Sequence, residues 1–120
     1  MEPIYLDNNA TTPVDERVAD VAHHYSLKEY GNAGSRTHSW GMEAAKVTQE
    51  ARRQVSQSIA SKPEDIIFTS GATEANNLAI LGIAEHAFAT GRTHIITTAI
   101  EHKAVLEPCE VLEKRGFEIT

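Results

Sequence analysis

Apolar residues recur at helical spacing in the first quarter of the chain. The residues that share this helix face are Val14, Val18, Val21, Ala22 and Tyr25. Thr12, whose hydroxyl can cap free N–H groups, is followed by Pro13, so the pattern predicts a helix that begins there and ends before Gly31. The apolar run before it is too short for more than an extended arm, and residues 1–12 are therefore assigned to an N-terminal arm.

A second helix is predicted after a loop. Residues 31–38 contain two glycines, an asparagine and short polar side chains, which is typical of a loop with unusual dihedral angles. The apolar positions that follow are three and four residues apart: Ala44, Val47, Ala51, Val55 and Ile59. This helix is expected to end before Ser61, because a proline follows at position 63.

From Glu64 onwards the pattern alternates between strand and helix. Three runs rich in β-branched residues predict strands at 66–69, 94–98 and 117–120. Two helical stretches lie between them, from Thr73 to about Thr90 and from Lys103 to Arg115. This order predicts an α/β domain in which helices flank a parallel sheet with right-handed crossovers.

The two later helices carry further predictions. The first is apolar on all sides, so we expect it to be largely buried, with Gly91 as its stop. In the second, Pro108 is tolerable only if it falls in the first turn, where its missing N–H has no partner in the helix.

The predicted sheet is incomplete at its C-terminal end. Three strands, the last unfinished, would leave an open edge and a poorly covered face. We therefore expect residues 13–120 to be the start of a larger α/β domain.

Composition narrows the classes of partner. The 120 residues carry 11 basic and 17 acidic side chains, a net charge of −6, with no basic face for nucleic acid. No apolar window approaches the length of a membrane span. A single cysteine excludes an internal disulfide framework and fits a cytoplasmic protein, and the histidines show no metal-ligand spacing.

Ligands bind parallel α/β sheets at the carboxyl ends of the strands. There, Gly71, Ala72 and Thr73 open a helix whose free N–H groups favour an anion such as a phosphate, with the Ser70 and Thr73 hydroxyls as extra donors. The alternative is an ordinary turn in which a hydroxyl merely caps the helix. The glycine patterns of dinucleotide and P-loop nucleotide sites are absent.

Two other side chains are candidates for chemistry. His102 lies at the same predicted edge, where an imidazole can stack on a flat ring or move a proton, although an isolated histidine often only starts a helix. Cys109 shares a helical stripe with Val105 and Leu112, which indicates a small buried apolar residue rather than a nucleophile.

Four motifs, taken in their order along the chain, resemble those of a known family. They are Tyr5-Leu6-Asp7-Asn8-Asn9-Ala10-Thr11-Thr12-Pro13, Gly31-Asn32-Ala33-Gly34-Ser35-Arg36-Thr37-His38, Phe68-Thr69-Ser70-Gly71-Ala72-Thr73-Glu74-Ala75-Asn76-Asn77 and Glu101-His102-Lys103-Ala104-Val105-Leu106. Together they resemble the N-terminal region of cysteine desulfurases of the nitrogen-fixation and iron–sulfur-cluster type. One departure is Ala33-Gly34, where that family more often has a proline and a small residue.

The resemblance implies a cofactor and a set of site residues. These enzymes share the fold type I of class V aminotransferases, use pyridoxal 5'-phosphate and act as homodimers. By similarity, Gly71, Ala72 and Thr73 hold the cofactor phosphate, while His102 stacks on the pyridine ring and handles protons. Residues near the substrate or the dimer partner would be Asn9, Ala10, Asn32 and His38.

The implied reaction takes sulfur from L-cysteine, which leaves L-alanine and an enzyme persulfide for a sulfur-acceptor or scaffold protein. The Schiff-base lysine, the aspartate at the pyridinium nitrogen and the nucleophilic cysteine come from later parts of family sequences. The alternatives are a selenocysteine lyase, a kynureninase-like lyase, or a truncated module without catalytic activity.

Overall fold

A computed structural model describes residues 3–120 of the chain. The fold divides into two compact units, one that ends at Ile66 and one that runs from Ile67 to Thr120. Among the described residues, no helix combines the length and the apolar character that a membrane span requires.

The first unit contains two helices, α1 (Glu16–Leu27) and α2 (Ser39–Ser58), and a short 3-10 helix (Pro63–Asp65). The 3-10 helix packs on α2, and the Arg52 guanidinium donates a hydrogen bond to the carbonyl of Ile66. The loop predicted over residues 31–38 is confirmed, since none of them is helical or in a strand.

The predicted start of the first helix is wrong by three residues. Asp15, not Thr12, is the N-cap, and its carboxylate accepts a hydrogen bond of 2.9 Å from the N–H of Arg17. The same carboxylate accepts two hydrogen bonds from the Arg17 guanidinium, at 2.9 and 2.7 Å, so Asp15 satisfies three donors in all. The apolar stripe is present, but no residue of α1 is buried.

The second unit contains α3 (Ala72–Ala89), β1 (His94–Ile95), α4 (Lys103–Glu113) and β2 (Glu118–Ile119). The strands are parallel, with His94 opposite Glu118 and Ile95 opposite Ile119. Backbone hydrogen bonds continue the pairing beyond both ends of β1, because the N–H of Thr97 donates to the carbonyl of Thr120 and the N–H of Glu118 donates to the carbonyl of Thr93, each at 2.8 Å. The predicted parallel strand–helix–strand unit is confirmed.

The core of this unit lies between α3, α4 and the strand pair. Leu112 is fully buried, and Ala84 and Phe117 are nearly so. Half-buried residues complete this cluster: Ile80, Leu81, Ala87, Ile95 and Ile119. Helix α4 thus packs on α3 and on β2, and Leu112 lies in the cluster that both strands also contact.

Two predictions are wrong: the strand at residues 66–69 and the burial of the helix that follows it. Residues 66–69 form no strand, because a strand requires a backbone partner and the sheet of the described residues contains only β1 and β2. Ile67 is 65% exposed. Helix α3 is apolar all round as read from the sequence, yet Ala84 is its single buried residue, and Leu78 and Ile83 are exposed.

The helix ends show one confirmed prediction and one correction. Gly91 follows α3 with φ +72, a left-handed conformation that favours glycine, so it is the expected stop. Pro108 lies in the second turn of α4, not the first, and removes the hydrogen bond that the Ala104 carbonyl would accept. Pro108 and its neighbour Cys109 are buried, and this burial offsets a cost of about 3 kcal/mol for an interior proline.

We predict that the 120 residues on their own do not unfold as a cooperative monomer. Large apolar side chains are at least half exposed in both units, for example Val18 and Val21 in the first and Ile83 and Phe88 in the second. Calorimetry and sedimentation should show a broad transition or association. A sharp two-state melt of a monodisperse monomer would contradict this prediction.

Candidate functional site

The first N–H groups of a helix need acceptors from outside the helix, and three of the four α-helices find them in a side chain. The Asp15 carboxylate serves α1, the imidazole of His38 serves α2 and the imidazole of His102 serves α4. Helix α3 is the exception, because its N-cap is Gly71 and no side chain of residues 3–120 caps its first turn.

The start of α3 is therefore open. Within residues 3–120, the N–H groups of Ala72 and Thr73 have no hydrogen-bond acceptor, whereas the N–H of Ala75 already donates to the carbonyl of Gly71. Gly71 has no side chain, and the space where a Cβ would stand is empty. Free N–H groups at the positive end of an 18-residue helix form a site suited to an anion.

The residue before this turn is already paired. One carboxylate oxygen of Glu74 accepts from the backbone N–H of Ser70 at 2.6 Å and from its hydroxyl at 2.7 Å. The Ser70 hydroxyl, expected as an extra donor to an anion, donates to Glu74 in this structure. These hydrogen bonds, from the backbone N–H first and then from the hydroxyl, lower the pKa of Glu74.

Sequence reasoning missed Glu74. The glutamate follows the serine by four residues, one more than in a capping box, and the serine precedes the N-cap, so the capping-box pattern does not reveal the contact. By holding Ser70, Glu74 fixes the backbone that leads into Gly71 and leaves the N–H groups of Ala72 and Thr73 uncovered.

His102 lies at the start of α4, in the same unit as the open turn. Its Nδ1 accepts a hydrogen bond of 3.1 Å from the N–H of Ala104, and the residue is exposed. The ring caps the helix and is exposed at the same time. Nδ1 is used by the cap, and Nε2 makes no hydrogen bond among residues 3–120.

The other candidate residues belong to the first unit and have local contacts. Asn9 and Ala10 lie in a turn closed by a 3.1 Å hydrogen bond from Ala10 N–H to the Asp7 carbonyl. The Asn32 side chain accepts from the N–H of Gly34, and His38 Nδ1 accepts from the N–H of Gly41 at 3.1 Å. The structure thus brings Gly71, Ala72 and Thr73 together, and it places these four residues in a different unit from them.

Close packing fixes the loop that carries Asn32 and His38. A Cβ on Gly31 would overlap the Trp40 carbonyl, and a Cβ on Gly41 would overlap the Ser35 carbonyl. The loop therefore lies directly against the start of α2, and glycine is required at both positions.

The Cys109 side chain has the environment of a packed core residue. Cys109 is buried on α4, and desolvation raises the pKa of its thiol, which makes it the small apolar residue that was predicted. Among residues 3–120, no three histidine, cysteine or carboxylate side chains are grouped to hold a metal ion.

The structure is that of an α/β protein with parallel strands and a helix start suited to an anion. Comparison with known proteins identifies its family. Residues 4–120 match the model of the aminotransferase class-V family, so the chain belongs to that family. Its members are pyridoxal-phosphate-dependent enzymes.

The chain is also similar to individual proteins. It is 48% identical over all of its 120 residues to human cysteine desulfurase, and 50% identical over 98% of its length to cysteine desulfurase IscS of Stutzerimonas stutzeri. It spans 26% of the human relative and 30% of the bacterial one. A relative from Arabidopsis thaliana, 48% identical, is a mitochondrial cysteine desulfurase.

Solved structures of other proteins are also similar to this chain. DndA of Streptomyces lividans matches with a TM-score of 0.78 and 54% identity, over 97% of this chain and 32% of that one. A structure of SspA in complex with cysteine matches with a TM-score of 0.79 and 35% identity, over 92% of this chain and 31% of that one.

We predict that the carboxyl group of Glu74 titrates below 4.5, its ordinary pKa. Since the folded pKa is lowered, the contact with Ser70 is present above pH 4.5 and is lost only as the pH falls through the lower folded value. Carboxyl-carbon NMR should give that midpoint, and Ser70→Ala should move it back towards 4.5. A wild-type midpoint at or above 4.5 would show that the contact does not form.

Proposed function

We propose that this chain forms the cofactor-phosphate portion of a pyridoxal-phosphate-dependent cysteine desulfurase. The observation that carries the proposal is the open start of α3, where the N–H groups of Ala72 and Thr73 follow a glycine N-cap and have no acceptor within residues 3–120. The substrate class rests on relatives that are named cysteine desulfurases and on a structural neighbour solved with cysteine. The product would be L-alanine, with the sulfur passed to an acceptor or scaffold protein.

The residues at the start of α3 fit a phosphate group. The N–H groups of Ala72 and Thr73 would donate to its oxygens, and the Thr73 hydroxyl, which makes no hydrogen bond within residues 3–120, would be a third donor. Glu74 would keep Ser70 and Gly71 in place without covering these donors. Pyridoxal phosphate, when bound, supplies an electron sink for bond changes at the amino-acid carbon.

His102 would act on the ring side of the cofactor. Its exposed imidazole is held at the start of α4, a helix that packs on α3. A flat aromatic ring in this position can stack on the pyridine, and its free Nε2 can interact with the substrate.

The Asn9-Ala10 turn and the Asn32 to His38 loop would lie near the substrate or the partner subunit of a homodimer. The exact fit of the loop against α2, which needs Gly31 and Gly41, supports a role that depends on a fixed loop shape. A cytoplasmic location is a prediction from the absence of a disulfide framework.

The test of this function is turnover of L-cysteine by the full-length protein loaded with pyridoxal phosphate. We expect stoichiometric L-alanine and protein-bound persulfide, measured by amino-acid analysis and by mass spectrometry after alkylation. Cys109→Ala should leave persulfide formation intact, because the Cys109 thiol is buried with a raised pKa. The absence of alanine from the wild type would refute the proposal, and loss of persulfide in Cys109→Ala would refute the role given to Cys109.

Thr73→Ala should weaken retention of pyridoxal phosphate. It removes one hydroxyl donor to a charged phosphate, a bond that contributes about 1.5–3 kcal/mol, or at least about tenfold in Kd. Thr90→Ala is the matched control, since it removes the same hydroxyl from the other end of α3, where Thr90 donates to the His86 carbonyl. Equal cofactor affinity of the two variants in an absorbance titration would contradict the phosphate placement.

A further inference from the structure

Hydrogen bonds hold the backbone on both sides of Gly71. Before it, one carboxylate oxygen of Glu74 accepts from the N–H and from the hydroxyl of Ser70, at 2.6 and 2.7 Å. After it, the carbonyl of Gly71 accepts from the Thr69 hydroxyl and from the N–H of Ala75, each at 3.1 Å. Gly71 has no side chain that could restrict its own dihedral angles, so the turn depends on these contacts for a fixed shape.

The contact at the Gly71 carbonyl also sets the direction of the Ala72 N–H. These two groups belong to one peptide unit, which is planar and trans, so the carbonyl and the N–H point in opposite directions. Because the Ala72 N–H has no acceptor within residues 3–120, no contact on its own side orients it. The Thr69 hydroxyl therefore acts on this N–H from the opposite edge of the same peptide.

The contact with Ser70 also decides where the Glu74 carboxylate lies. Glu74 is the third residue of α3, and a carboxylate in the first turn is attracted to the positive end of its helix. Such a group competes with a bound anion for the free N–H groups. Among residues 3–120, however, the hydrogen bonds of Glu74 go to Ser70, and none goes to Ala72 or Thr73.

We propose that Glu74 and Thr69 are positioning residues for the cofactor phosphate: they fix the backbone around Gly71 and keep the N–H groups of Ala72 and Thr73 available in one orientation. Neither side chain needs to touch the phosphate. The inference rests on the proposed function, which supplies the anion.

The negative charge of Glu74 makes the sign of its effect informative. Hydrogen bonds from Ser70, first from its backbone N–H and then from its hydroxyl, hold the pKa of Glu74 below its ordinary value, so the carboxylate is ionised at neutral pH. By charge alone, an ionised carboxylate close to the turn repels a phosphate. A loss of cofactor affinity when Glu74 is removed must therefore come from its contact with Ser70 and not from its charge.

The first test compares two substitutions of Glu74 in the full-length protein by absorbance titration with pyridoxal phosphate. Glu74→Ala removes the acceptor and should raise Kd about fivefold, the effect of about one hydrogen bond. Glu74→Gln keeps an oxygen that can accept from Ser70 and should stay within about twofold of the wild type. Glu85→Ala, which removes an exposed carboxylate from the same helix, is the control and should leave Kd unchanged.

A merely structural role of Glu74 gives a different pattern. An acid that only stabilises the helix start through its charge would lower the melting temperature equally in Glu74→Gln and Glu74→Ala and leave Kd unchanged. That pattern, or a tighter Kd in Glu74→Ala, would overturn the proposal.

The second test removes the Thr69 hydroxyl. Valine has the shape of threonine without this group, and Thr69→Val should raise Kd about threefold because the Gly71 carbonyl loses one donor. Thr48→Val is the matched control, since the Thr48 hydroxyl likewise donates to a carbonyl, that of Ala44, in the other unit. Equal affinity of Thr69→Val and Thr48→Val would remove Thr69 from the proposal.

Hydrogen exchange tests the contact without the cofactor. In the full-length protein free of pyridoxal phosphate, the Ser70 amide should exchange about fivefold faster in Glu74→Ala than in the wild type or in Glu74→Gln. Equal exchange in all three would show that Glu74 does not hold this amide and would overturn its assigned role.

The outcomes separate this proposal from the proposed function. A wild type that binds no pyridoxal phosphate would refute the desulfurase function, and with it any role of these residues towards the phosphate. A wild type that binds the cofactor, with unchanged affinity in both Glu74→Ala and Thr69→Val, would overturn the positioning role alone.

Discussion

The open N–H groups at the start of a helix are the physical constraint on which this account depends. Each α-helix begins with donors that its own backbone cannot satisfy, and an acceptor must come from elsewhere. Asp15, His38 and His102 supply acceptors for three helices of the described chain. At α3 the sequence has glycine at that position, and the donors remain available. A site for an anion is thus produced by leaving out a cap that the other helices have.

The same constraint links the two parts of the proposed site. At α3 the missing cap would leave room for the proposed phosphate, while at α4 the cap is a histidine whose ring is exposed. Packing of α3 on α4 around Leu112 keeps both helix starts in one unit, and the parallel pairing of β1 with β2 fixes the direction of the connection through α4. The two helix starts of the proposed site and the core around Leu112 therefore belong to the same pair of helices, α3 and α4.

Much of the fold could be predicted from the sequence, because the helices and the strand pair depend on local patterns of residues. The four helices, the Gly91 stop and the parallel pair follow from apolar spacing and from glycine at a left-handed position. The start of α1 could not be read correctly, because Thr12 and Asp15 are both good caps and residue type alone does not choose between them. The position of Pro108 in the second turn of α4 could not be predicted either, because it is linked to burial against neighbouring elements, which residue spacing does not reveal.

The strand prediction for residues 66–69 failed for a related reason: an apolar β-branched run becomes a strand only with a backbone partner. The sequence predicts that Gly71, Ala72 and Thr73 open a helix, and they are the N-cap and the first two residues of α3, while their role in binding stays a prediction. The pairing of Ser70 with Glu74 and the use of Nδ1 by His102 depend on side-chain conformations, and these required the structure.

The measurement that tests the central claim most directly is a crystal structure of the full-length protein with pyridoxal phosphate bound. The account predicts phosphate oxygens at about 2.7–3.2 Å from the backbone nitrogens of Ala72 and Thr73, with Glu74 still paired to Ser70. A phosphate bound away from the start of α3, with these two N–H groups still free or covered by a protein side chain, would contradict it.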